Sequence, residues 1–169
     1  MDEQHRVYLV GGNDEETAVF TLFDEGDHCR LQCEYRDKAV ESTAPDFFQA
    51  LCDVRGLLAK DGLIPFCYGA SLNVYPSGMA RDMGQGLKAY KMAIGRHARR
   101  EDLVYIFAQG ANVVPASVAA QEQFWRDWLA SPRTSVPFPQ WVKSGEVQTE
   151  HCSPVCASKQ TLAVCEYTP

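Results

Sequence analysis

The stretch "CRLQCEYR" at residues 29–36 alternates without a break: Cys29, Leu31, Cys33 and Tyr35 fall on one side of an extended chain, Arg30, Gln32, Glu34 and Arg36 on the other. Successive side chains of a strand point to opposite faces, so this pattern fits a strand with one face on a core and one in water. Two more strand-like runs precede it, "RVYLVGG" and "TAVFTLF", set apart by the turn clusters "GGNDEE" and "DEGDH". Three strands on short connections predict an antiparallel meander. The alternation also turns Cys29 and Cys33 toward the core, about 13 Å apart at ~3.3 Å per residue, too far to share a metal ion or a disulfide.

A helix is expected next, over residues 44–61. Ser42 or Thr43 would cap it, Pro45 suits its first turn, Asp46 complements its dipole and Gly62 follows its last turn. Phe47, Leu51, Val54 and Leu58 recur at helical spacing, with Phe48 and Leu57 beside them, so this face belongs to the core. Strands are expected at 63–70 and 86–94, and a short helix at 100–110, although Val104 to Phe107 would also suit a strand. A firmer helix is expected in "PASVAAQEQFWRDWLASP", with Ser117 as cap, a Glu122–Arg126 pair, and Phe124, Trp125, Trp128 and Leu129 facing inward until Pro132. The prolines of "SPRTSVPFPQW" predict an extended segment whose Val136, Phe138 and Trp141 can dock into grooves, and "TLAVCEY" reads as a final strand. The fold class is therefore α+β: an antiparallel sheet, made of the meander plus later strands and packed by two or three helices. One domain is expected over residues 1–141, with an irregular C-terminal extension over 142–169 docked on it.

A chain of 169 residues can bury a core without staples, and seven cysteines are an odd, widely spaced set, so reduced thiols are expected. The start is acidic with no long apolar run, and no stretch approaches the roughly 20 apolar residues of a membrane span, which together predict a cytoplasmic protein. The net charge of −6 is uneven: residues 1–46 carry twelve acidic groups against four basic ones. That field disfavours nucleic acid and favours a basic protein partner. Glu15, Glu16, Asp24 and Glu25 are the candidate partner-binding residues, with Tyr8, Phe20 or Phe23 as anchors wherever they are exposed. The bases Arg81, Lys88, Lys91, Arg96, Arg99 and Arg100 interleave with Tyr75 and Tyr90, a weak nucleic-acid footprint in an acidic chain.

No complete catalytic signature occurs. In "YPSGMARDMGQGLKAYKM", residues 75–92, Gly78, Gly84 and Gly86 lead to Leu87 and Lys88 with no hydroxyl after the lysine, so the phosphate-loop pattern fails. Ser71 and Ser77 each supply half of a nucleophile elbow. Ser77 is expected to begin one helical turn that Gly84 or Gly86 ends. The alternative to a protein binder is a small enzyme or ligand-binding protein with a site around residues 68–91, its pocket lined by Tyr75, Ser77, Arg81, Asp82 and Tyr90. His151, Cys152, Cys156 and Cys165 leave a zinc site open, but they form one loose knuckle where structural zinc has two. No catalytic residue, metal or cofactor is assigned.

The stretch "CYGASLNVYPSGMARDMGQGLKAYKM", residues 67–92, resembles a segment of small, stand-alone, uncharacterised bacterial proteins, some of which resemble immunity partners of secreted polymorphic toxins. The resemblance implies a compact cytoplasmic α+β protein that occludes one partner, a basic toxin domain, without catalysis. It carries over no functional residues. A binder of this kind should expose a flat acidic patch, whereas an enzyme should show a concave pocket around the five residues named above.

Overall fold

The computed structural model describes residues 3–133. The meander comprises β1 (Glu3–Val10), β2 (Thr17–Asp24), β3 (Cys29–Tyr35) and a fourth strand, β4 (Lys38–Ala44), joined by tight antiparallel hairpins. Cys29, Leu31, Cys33 and Tyr35 are buried as the alternation requires. Burial holds the Cys33 thiol in its neutral form, with its pKa pushed up to about 12. β3 turns into β4 through Arg36 and Asp37, whose φ values are 45° and 57°. Positive φ at both central residues is the mark of a two-residue hairpin of the primed type. β4 ends the sheet on one side, and its pairing of Cys29 with Ala44 and of Tyr35 with Lys38 fixes the register.

The first helix begins later than the sequence suggests because β4 uses Ser42 and Thr43 as strand residues. Asp46 is the cap: its Oδ1 accepts from the Gln49 amide at 2.9 Å. α1 (Phe47–Leu58) then runs into a 3-10 turn, Ala59–Asp61, that Gly62 stops in the left-handed region at φ 74°. Phe47, Phe48, Leu51, Val54 and Leu58 are all buried against the inner face of the sheet, so the expected stripe is core. Cutting Leu51 back to alanine would remove about 2–5 kcal/mol.

The strand expected at 63–70 shrinks to β5 (Ile64–Pro65), which pairs with the end of β1, and is followed by a 3-10 turn at Tyr68–Ala70. Pro65, lacking an N–H, suits this edge position. A second, three-stranded sheet is built from β6 (Val74–Tyr75), β7 (Lys88–Lys91) and β8 (Leu103–Tyr105), in that order. Between β6 and β7 lies α2 (Gly78–Asp82), a single turn whose cap is Ser77, the Oγ accepting from Ala80 N at 3.2 Å. The short helix expected at 100–110 is instead a 3-10 turn, Arg100–Asp102, and then β8, because Leu103, Val104 and Tyr105 complete the open edge of β7. α3 (Val118–Ala130) is capped by Ser117, and Glu122 and Arg126 pair at 2.5 Å. Leu129 faces solvent rather than the core, while Gln121 is buried. The docking residues Val136, Phe138 and Trp141, the boundary at 141, the extension over 142–169, the strand in "TLAVCEY" and the tail ligands His151, Cys152, Cys156 and Cys165 lie outside the described residues.

Candidate functional site

An aromatic surface forms where the second sheet meets α3. Tyr75 on β6 and Tyr90 on β7 are cross-strand partners. Tyr75 stacks on Trp125 of α3, with centroids 4.7 Å apart and planes 14° off parallel, and takes the edge of Phe48 on its other side at 5.1 Å. Burial raises the pKa of the Tyr75 phenol, so the ring stays neutral. One turn on, Trp128 is fixed by its Nε1–H, which donates to the Arg96 carbonyl at 2.9 Å, and by Arg133, whose guanidinium lies 4.5 Å over the ring. These rings wall a cleft of about 690 Å³. Ser77, Met79 and Met92 complete its sides, and Arg99 and Arg100 stand on its rim.

The residues expected to form one pocket divide around α2. Tyr75, Ser77 and Tyr90 line the aromatic cleft. Arg81 and Asp82 line a different, wider depression of about 840 Å³, together with Gly26, Cys29 and Gln85. Arg81 is held there structurally: its Nε donates to Asp46 Oδ2 at 2.9 Å and its Nη2 to Gln49 Oε1 at 3.3 Å, which ties α2 to the first turn of α1. Ser77 is occupied as a helix cap, and the cleft lining holds no histidine or carboxylate to act as its base. The arrangement can bind apolar and aromatic groups next to an anion; it lacks the nucleophile–base pair that acyl or phosphoryl chemistry needs. Among the described residues, no group of three or more His, Cys, Asp or Glu could hold a metal ion.

The four acidic candidates do not sit together. Glu15 and Glu16 occupy the β1–β2 turn, and Asp24 and Glu25 lie at the opposite end of β2, about 23 Å away at ~3.3 Å per residue. Three of them are engaged within the chain. Glu16 accepts from Arg36 Nη2 at 2.8 Å, Asp24 from Gln85 Nε2 at 2.9 Å, and Glu25 from Arg30 Nε at 2.7 Å. Those bonds lower the pKa of Glu16, through Arg36 first, and of Asp24, through Gln85 first. Among the expected anchors Tyr8 is exposed, Phe20 is fully buried, and Phe23 lies beneath the Arg30 guanidinium at 4.0 Å.

Trp125 and Trp128 were expected as core, and helical spacing alone gives the same pattern whether a face meets a core or walls a cleft. The exposed methionines Met79 of α2 and Met83 just after it, at 73% and 79%, carry no sequence signal of their own. No family model matches the chain, and no curated protein does. No described helix is long and apolar enough to cross a membrane.

Proposed function

We propose that the protein is a non-catalytic binding module that engages one protein partner through the aromatic cleft, and that it acts as an immunity protein by occluding a toxin domain. The observation that carries this reading is the pairing of a rigid aromatic wall with the exposed Met79 of α2, in a cleft whose lining has no nucleophile–base pair. Buried aromatic anchors with adaptable methionine beside them are the means by which a small surface gains most of its binding energy. The partner supplies an apolar side chain that enters between Tyr90 and Trp128, with a carboxylate opposite Arg100. The acidic hairpin tips add a long-range field that draws a basic toxin domain in, affecting association rate more than affinity. Its cytoplasmic residence follows from the same reading, since an immunity protein guards the producing cell.

The test is association with the product of the adjacent gene, together with protection of cells that express that product. The Met79→Glu, Arg100→Glu double variant should keep its circular dichroism spectrum, bind at least tenfold more weakly and fail to protect. Equal protection by the variant would refute the cleft as the contact surface. A ligand-binding reading is favoured by the volume of the cleft alone; saturable binding of an aromatic anion, without any protein partner, would support it instead.

A further inference from the structure

The second sheet turns one face to the core and the other to the aromatic cleft. Val74 and Ala89 are fully buried and Val104 packs on the core, so alternation sends Tyr75, Lys88, Tyr90, Leu103 and Tyr105 to the opposite face. The register sets Tyr90 beside Leu103 and Lys88 beside Tyr105, two residues away along β7, which is about 7 Å at ~3.3 Å per residue. The aromatic cleft lies over the Tyr90 level. A second cavity of about 350 Å³ lies over the Lys88 level, and Ser77, Met79, Tyr90 and Leu103 line both. The two are compartments of one groove that follows β7, with α2 as its side wall.

The second compartment is apolar as well. Ala80 and Leu87 close it, and Tyr105 forms its far side. The tip of that ring is fixed, since its hydroxyl donates to Glu3 Oε1 at 3.1 Å and lies 3.2 Å from His5 Nε2. Burial raises the Tyr105 pKa, so the phenol stays neutral. Every charged residue in the two linings is a cation: Arg99 and Arg100 in the first compartment, Lys88 in the second. Arg99 has Glu101 beside it at 3.3 Å. Arg100 and Lys88 are exposed, and neither pairs with a carboxylate among the described residues. In a chain of net charge −6, this groove has an apolar floor and an uncompensated cation at each end.

We propose that the groove takes an extended acidic segment of the partner, with an acid, an apolar residue, a spacer, a second apolar residue and a second acid in succession. This rests on the reading of the cleft as a protein contact and specifies what that protein presents. Side chains two residues apart in an extended chain point the same way and stand about 7 Å apart, the spacing of the two compartment floors. The larger apolar side chain enters beside Trp125 and Trp128, the smaller one between Met79 and Tyr105, and the flanking carboxylates reach Arg100 and Lys88. The rings are rigid anchors, and the unbranched Met79 between the compartments adapts to what fills them. An acidic contact segment is compatible with a domain that is basic as a whole, because the hairpin charges act over a Debye length of about 8 Å or more whereas the groove reads groups in contact.

The test titrates the full-length protein with two blocked pentapeptides, acetyl-Glu-Phe-Ser-Leu-Glu-amide and acetyl-Glu-Leu-Ser-Phe-Glu-amide, which cover both chain directions. Acetyl-Lys-Phe-Ser-Leu-Lys-amide reverses the charge, and acetyl-Glu-Phe-Leu-Ser-Glu-amide breaks the spacing. Binding is read by calorimetry and by the Trp128 Nε1–H resonance. At least one acidic peptide should bind saturably at millimolar or lower concentration and more weakly as salt rises, and each control should bind tenfold more weakly or worse. The Lys88→Glu, Arg100→Glu variant should keep its circular dichroism spectrum and prefer the lysine-ended peptide. No binding of either acidic peptide, equal binding of a control, or an unreversed preference in the variant would each overturn the proposal. Lys88→Glu alone separates this inference from the reading beneath it, and should weaken binding of the adjacent gene's product about fivefold or more. Undiminished affinity there would overturn the groove inference and leave the cleft reading intact. The predicted peptide binding, with no binding of that product, would refute the immunity reading and support the groove as a site for acidic segments.

Discussion

Replacing Gln121 by methionine keeps the volume and removes only the hydrogen bonds, which makes it the most informative perturbation of the joint between α1 and α3. Gln121 is 1% exposed. Its Oε1 takes the charged Arg55 Nη1 at 2.6 Å, and its Nε2 donates to the carbonyls of Gly69, Ser71 and Val74 at 3.0, 2.8 and 2.8 Å. The bond from a charged donor contributes about 1.5–3 kcal/mol. Two of the carbonyls keep other donors, Gly69 O that of Arg55 and Ser71 O that of the Val74 amide at 3.2 Å, so their share is smaller, about 0.5 kcal/mol each. With the Val74 carbonyl counted at about 0.5 kcal/mol as well, the sum is about 3–4.5 kcal/mol. A chain of this size would melt roughly 10 °C lower. Urea unfolding should show a lowered midpoint with an unchanged slope. Because Trp125 stands one turn further along α3 than Gln121, its emission in the native state should change as the Tyr75 stack loosens. A loss below about 1 kcal/mol would refute the reasoning, since it would mean that Arg55 and the three carbonyls find equivalent partners without Gln121.

Gly86 has φ 69°, and a Cβ there would come within 2.6 Å of Asp46 Oδ1. Gly86→Val should therefore cost roughly 1–3 kcal/mol, and an unchanged thermal midpoint would contradict that. At Gly84 the constraint is contact rather than φ, because a Cβ would lie 2.9 Å from the Ala80 carbonyl, and a valine there should also destabilise. Glu16, Asp24 and Asp61 all have pKa values lowered from the usual 4.5, 3.8 and 3.8, the last by Lys38 first and then by Tyr35. A carboxylate with a depressed folded pKa contributes stability that is fully present above its unfolded value and lost as the pH falls through the folded one. The urea midpoint should thus fall as the pH is lowered below about 4.5, and Lys38→Met should make that fall shallower. A midpoint flat over this range would show that these bonds contribute nothing.

The meander and the core stripe of α1 were legible because each has one dominant period. Cys29 to Arg36 alternates for eight residues, and Phe47, Leu51, Val54 and Leu58 recur at helical spacing. β4 was hidden because its turn, Arg36–Asp37, lacks the Asn-Gly or Gly-Gly pair that announces a primed hairpin, and because Ser42 and Thr43 also look like helix caps. At 100–110 a run that suits helix or strand was decided by the open edge of β7, a tertiary fact with no local trace. Of the expected pocket, Tyr75, Ser77 and Tyr90 came together because they flank α2 on one side, while Arg81 was drawn to the other by Asp46. Arg55 and Gln121 did leave a signal. At about 100° per residue Arg55 projects between Phe48 and Leu51, and Gln121 between Trp125 and Trp128, so each is a polar residue in the middle of an apolar face.

The central claim is that the cleft of Tyr75, Tyr90, Trp125 and Trp128 is a protein-binding surface. The direct measurement is the affinity of the adjacent gene's product for wild type, for the Met79→Glu, Arg100→Glu variant and for Glu15→Lys, read by calorimetry at two salt concentrations. Both side chains of the cleft variant are exposed, and Glu15 stands exposed at the far hairpin. The account predicts a loss of tenfold or more for the cleft variant, about 1.4 kcal/mol. It predicts a change for Glu15→Lys that is small and disappears at high salt, as expected for a steering charge. Wild-type affinity in the cleft variant, with the binding lost in Glu15→Lys, would contradict it and place the contact on the acidic hairpin.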